Sequence, residues 1–124
     1  MGIGVGMPAL LYLEQFGSLV WDAFGTPPYL VGSALNGREW RDVDVRVILA
    51  DEEYARWFGE PAWVERACGK WSAICMAFSE LGRRMTGLPI DFQVQSQKTA
   101  NSKFGEEPRS ALGIVEPRMV DRNA

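Results

Sequence analysis

A chain of 124 residues, 47% of them hydrophobic, can bury one compact core but not the cores of two ordinary domains. Its 23% charged residues exclude a disordered or coiled-coil class, and a net charge of -3 argues against bulk electrostatic binding of nucleic acid, leaving room only for a local basic patch. With no histidine and only Cys68 and Cys75, a structural zinc site is excluded. Two cysteines seven positions apart on one helix stand about 10 Å apart along its axis, too far for a disulfide, and a reducing cytoplasm fits this cysteine usage best.

The opening MGIGVG has neither the serine or threonine of a myristoylation signal nor the glycine spacing of a dinucleotide-binding turn. From Pro8 to Phe24, Leu10, Leu13, Phe16, Leu19, Val20 and Phe24 recur every three or four residues and predict a first helix, in which Gly17 is a weak point. Glu14, Gln15 and Asp22 interrupt its apolar run, so it reads as a core helix and not a membrane span. Gly25-Thr26-Pro27-Pro28 stops it. Strands follow near Tyr29 to Ala34 and Val43 to Leu49, with the turn signal Asn36-Gly37 between them.

A short helix is expected from Asp51 to Phe58, broken by Gly59-Glu60-Pro61. The longest periodic run comes next: Val64, Ala67, Cys68, Trp71, Ile74, Cys75, Phe78, Leu81 and Met85 make one apolar stripe, a core face. Thr86-Gly87-Leu88-Pro89 then turns the chain into a third strand, LPIDFQVQ. Residues 96–124 read as an irregular tail with one short helix around Thr99 to Phe104 and a frayed end at Asp121 to Ala124. The whole predicts a single α+β domain of two layers, a small mixed β-sheet with helices packed on one face.

The chemistry concentrates in the strands. Residues at i and i+2 leave the same face of a strand, so Asp42 and Asp44 point together while Val43 and Val45 pack behind them. Paired carboxylates repel unless a cation sits between them, and an all-oxygen donor set suits magnesium. In the third strand Asp91, Gln93 and Gln95 alternate with Ile90, Phe92 and Val94. Asp42, Asp44, Arg46, Asp91, Gln93 and Gln95 are therefore expected to line an open cleft, with Val43, Val45, Phe92 and Val94 under helices. Arg46 suits either contact with a phosphate or neutralisation of an acid. Arg38, Arg41, Lys98, Lys103 and Arg109 are further phosphate candidates among which the sequence does not select. The plainer reading of the two acids is the solvent face of an amphipathic edge strand.

A hydrophobic strand ending in Gly32-Ser33, a spacer, Asp42-x-Asp44 and a lone acid in a later strand together resemble the nucleotidyltransferase superfamily of DNA polymerase beta, in a minimal single-domain form. The eight-residue spacer between Ser33 and Asp42 is slightly short for that pattern, and Ala34-Leu35 replaces the basic residue often found after Gly-Ser. The resemblance implies a nucleotidyltransferase-like fold and magnesium-dependent transfer of a nucleoside monophosphate from a nucleoside triphosphate to a hydroxyl of a protein, RNA or small molecule. It implies two magnesium ions, with manganese as a substitute, Asp42 and Asp44 bridging both and Asp91 holding the one nearer the acceptor. Gly32 would let backbone approach phosphate, Ser33 would offer a hydroxyl and an N–H, and Arg46 would complete the nucleotide-binding set. Two other classes stand beside this enzyme: a nucleotide-binding regulatory module without turnover, and an interaction subunit of a larger assembly. A domain this small has little with which to grip an acceptor, which points to a protein partner or a second copy. Trp40, Trp57 and Trp63 are the tryptophans expected at such a surface, against the alternative that all five complete the core.

Overall fold

The alternating segments become the central strands. In the computed structural model, which describes residues 6–32, 42–59, 69–104 and 110–113, β1 spans Tyr29–Val31, β2 Val43–Leu49, β3 Ile90–Ser96 and β4 Ser110–Ala111. They form one sheet in the order β3-β2-β1-β4. β1 is antiparallel to both β2 and β4, whereas β2 and β3 run parallel, with Asp44 opposite Asp91 and Val45 opposite Phe92. Four helices are described: α1 (Ala9–Phe24), α2 (Asp51–Phe58), α3 (Gly69–Thr86) and α4 (Gln97–Phe104). This is the expected α+β class, a mixed sheet with helices packed against it. No described helix is long and apolar enough to cross a membrane.

Period-two alternation of β-branched residues sorts the two sheet faces. Leu30, Val43, Val45, Val47, Ile90, Phe92 and Val94 are buried against α1 and α3. Phe92 is the centre of that layer: its ring stacks on Phe78 at 5.1 Å and takes the edge of Phe16 at 6.4 Å. Within the described part of the long stripe, Trp71 and Cys75 are buried and Ile74, Phe78 and Met85 pack partly against the core, while Val64, Ala67 and Cys68 lie outside the described residues. Two expected core positions face solvent instead, Leu19 and Leu81. At about 100° per residue, each lies one position around the helix from the face its neighbours define, and buried Gly17, Ser79 and Gly82 fill the space.

Gly17 is no mere weak point. A Cβ there would stand 2.5 Å from the Leu112 Cβ, so glycine is what lets the segment after β4 lie directly on α1. The buried Glu14 fixes the same contact, its carboxylate accepting the Gly113 N–H.

The tail carries the short helix expected near Thr99 to Phe104, starting two residues earlier as α4, and a strand, β4, beyond that expectation. β3 passes straight into α4, where the Ser96 hydroxyl accepts the Thr99 N–H at 3.1 Å as a cap and Asp51 accepts the Lys98 N–H at 3.2 Å. β4 then pairs with β1. The first strand ends at Val31, short of Ala34. The Asn36-Gly37 turn, Ser33, Arg38, Trp40, Arg41, Trp63 and Arg109 lie outside the described residues, as does the Lys103 side chain.

Candidate metal and nucleotide site

β2 and β3 begin side by side, tied by the Val43 N–H donating to the Pro89 carbonyl at 2.9 Å. Parallel pairing in this register places Asp44 directly across from Asp91, and Asp42, two residues earlier on the same face, completes a cluster. One carboxylate oxygen from each of the three lies within 4.8 Å of the others. Asp42 is exposed and the other two are half-buried. All three expected acids are thus brought together at the open N-terminal ends of two neighbouring strands.

Gly32 completes the rim. β1 ends with Val31 opposite Asp44, and the next residue turns the chain at φ +78°, a conformation that favours glycine. A Cβ at this position would stand 2.5 Å from Asp44 Oδ2. The backbone therefore approaches the acid cluster as only glycine permits.

Arg46 departs from the expectation of an open cleft. It is 6% exposed, with Nη1 donating to the Asp91 carbonyl at 2.6 Å and to the Val45 carbonyl at 3.2 Å. Nη2 lies 3.5 Å from Asp91 Oδ2 and 3.7 Å from Asp44 Oδ1. Of the two roles open to it, Arg46 takes the internal one, a counter-ion beneath the acids. Gln95, at 1% exposure, is likewise buried and not part of a cleft, whereas Gln93 is half-exposed. Arg46 lies on β2, which has a strand on each side, and Gln95 lies at the end of β3 remote from the acids, next to the start of α4.

Burial raises the Asp44 pKa above the ordinary carboxylate range; Arg46 pulls it down, and Asp91 and Asp42 push it up again. Like charges crowded in a half-buried place favour a bound cation, and three carboxylates form the hard, all-oxygen donor set that magnesium takes. The residues present fit that ion: the donors converge, and Gly32, having no Cβ, leaves the Asp44 carboxylate its place in the cluster.

Beside Asp91 the site continues into a cleft walled by α3, with Met76, Glu80 and Arg83 among its lining. Sequence periodicity assigns these residues only to the outer side of the core helix. The one available signal is that Ser72, Met76 and Arg83 repeat at helical spacing away from the buried stripe. Lys98, a phosphate candidate from sequence, sits at the start of α4, beyond the far end of β3 from Asp91. Trp57, expected at an exposed surface, is half-buried, its ring 5.1 Å from Phe24 and under the Lys70 ammonium at 5.6 Å. Trp71 is buried.

No family model matches this chain, and neither a curated protein nor a solved structure matches it.

Proposed function

We propose that this protein is a magnesium-dependent nucleotidyltransferase that moves a nucleoside monophosphate from a nucleoside triphosphate to an acceptor hydroxyl. The observation that carries the reading is the convergence of Asp42, Asp44 and Asp91 within 4.8 Å at the ends of two parallel strands, with Gly32 pressed against Asp44. Asp42, Asp44 and Asp91 would together hold the metal. Bound magnesium supplies Lewis acidity, lowering the pKa of an attacking hydroxyl and neutralising charge on the departing pyrophosphate. The protein's own contribution is placement. Arg46 holds Asp44 and Asp91 in position from below, and Gly32, having no Cβ, lets the Asp44 carboxylate lie against the turn that ends β1. Ser33, the remaining nucleotide-binding candidate, follows Gly32 in the chain and belongs to the same proposal.

A second reading, a nucleotide-binding regulatory module without turnover, is favoured by Arg46 itself: an internal cation already offsets part of the charge that would otherwise attract metal. Calorimetric titration with each of the four ribonucleoside triphosphates, with and without magnesium, tests both. Magnesium-dependent binding followed by pyrophosphate release in the presence of acceptor supports the enzyme, and binding without release under any acceptor supports the module. A protein partner or second copy and a reducing, cytoplasmic setting complete the proposal.

A further inference from the structure

The outer side of α3 meets β3, an edge strand among the described residues, in a cleft of about 710 Å³, within the range of small-molecule sites. Ser72, Met76, Glu80 and Arg83 from α3 and Asp91 and Gln93 from β3 supply its accessible lining. β3 is an edge strand, and open N–H and C=O groups on such an edge invite an added strand. Here α3 has taken three of them. Ser79 Oγ accepts the Phe92 N–H at 2.9 Å and donates to the Phe92 carbonyl at 3.4 Å, and Trp71 Nε1 donates to the Val94 carbonyl at 2.8 Å. With these three groups taken, an extended peptide would find only a broken ladder, so the occupant that suits this cleft is a compact molecule held by side chains.

The same bonds set the register of the cleft. Trp71 lies level with Val94 and Ser79 with Phe92, so Arg83, one turn further along α3, comes to the Asp91 end. Among the described residues no carboxylate forms an ion pair with Arg83, whereas Asp91 is paired with Arg46. A guanidinium fork fits two oxygens of a carboxylate or phosphate. Glu80, Ser72 and Gln93 add acceptors and donors suited to hydroxyls.

We propose that this cleft binds a small hydroxylated oxyanion, of the sugar phosphate or hydroxy acid class, with Arg83 holding the oxyanion and a hydroxyl turned toward Asp91. Resting on the nucleotidyl-transfer reading, this molecule is the acceptor. Its hydroxyl oxygen bonds to the α-phosphorus of the nucleoside triphosphate, and the bond from that phosphorus to the β-phosphate bridging oxygen breaks. The electron pair leaves on pyrophosphate and the hydroxyl proton passes to solvent.

The test is amide NMR titration of the intact chain, without metal or nucleotide, using glycerol 3-phosphate and glycerate as probes and glycerol as the uncharged control. Both oxyanions should shift the amides of Met76, Glu80, Arg83 and Gln93, glycerol should shift them far less, and Arg83→Gln should weaken both probes about tenfold. Silent cleft amides, or unchanged titrations in Arg83→Gln, would overturn the assignment. So would an equal loss of magnesium–ATP affinity in Arg83→Gln, because Arg83 would then serve the triphosphate. The probe titration needs no nucleotide, so its failure leaves triphosphate binding standing, and failure of triphosphate binding leaves the cleft result intact.

Discussion

Asp44→Asn separates the proposed metal role of the acid cluster from any structural one. Asp44 stands opposite Asp91, close to Asp42, with its side chain 24% exposed and, among the described residues, a 3.7 Å contact to Arg46 as compensation. Its pKa is raised, mainly by burial. A carboxyl whose folded pKa lies above its unfolded value contributes stability that is fully present below the unfolded value of 3.8 and is lost as pH rises through the folded one. At pH 7 the ionised group is therefore a cost to the fold, and the isosteric amide removes it. The variant should be as stable as the parent at pH 7 or more so, and this advantage should vanish near pH 3, where the parent carboxyl is protonated too. Binding should move the other way. Removing one charged ligand costs on the order of 2 kcal/mol, about thirtyfold in affinity for a magnesium triphosphate. Scanning calorimetry at the two pH values and isothermal titration with magnesium–ATP check both halves. Undiminished magnesium-dependent affinity in a folded Asp44→Asn protein, or a marked loss of its stability at pH 7, would refute the reasoning.

Arg46→Met should leave Asp44 and Asp91 without their counter-ion and cost about 3 kcal/mol in denaturant unfolding, and added magnesium should restore more stability to this variant than to the parent; equal magnesium responses would count against a shared site. Val45→Asp places an unpaired carboxylate at a fully buried position in the middle of the sheet, a cost of several kcal/mol against a total of roughly 5 to 15, so circular dichroism should report an unfolded chain, and a stable variant would mean that the strand faces are reversed. Gly17→Ala gains roughly 1 kcal/mol of helix propensity but drives a Cβ to 2.5 Å from that of Leu112, and the overpacking cost of about 1 to 3 kcal/mol should win, lowering the melting temperature.

Alternation along β2 and β3 suffices to tell which side chains share a face, because the pleat fixes that locally. Asp42, Asp44 and Asp91 on one side and Val43, Val45, Phe92 and Val94 on the other were legible for this reason, and so was Gly32 at the end of the first strand. Depth is not local. Arg46 has the same alternation as Asp44, yet it lies beneath the acids because β2 has strands on both sides and Arg46 sits further from the open strand ends. The meeting of Asp44 with Asp91, 47 residues later, depends on the parallel register of β2 with β3, which no period in either segment encodes. Helical spacing likewise placed the core stripes but not their limits: Leu19 and Leu81 fit the period and face solvent, while Gly17 looked like a defect until Leu112 and Gly113 closed on it. The sequence by itself determined which side chains share a face, since that follows from neighbours along the chain. The tertiary structure decided burial, the pairing of the acids and the cleft beside Asp91, since each depends on residues that only the fold makes neighbours.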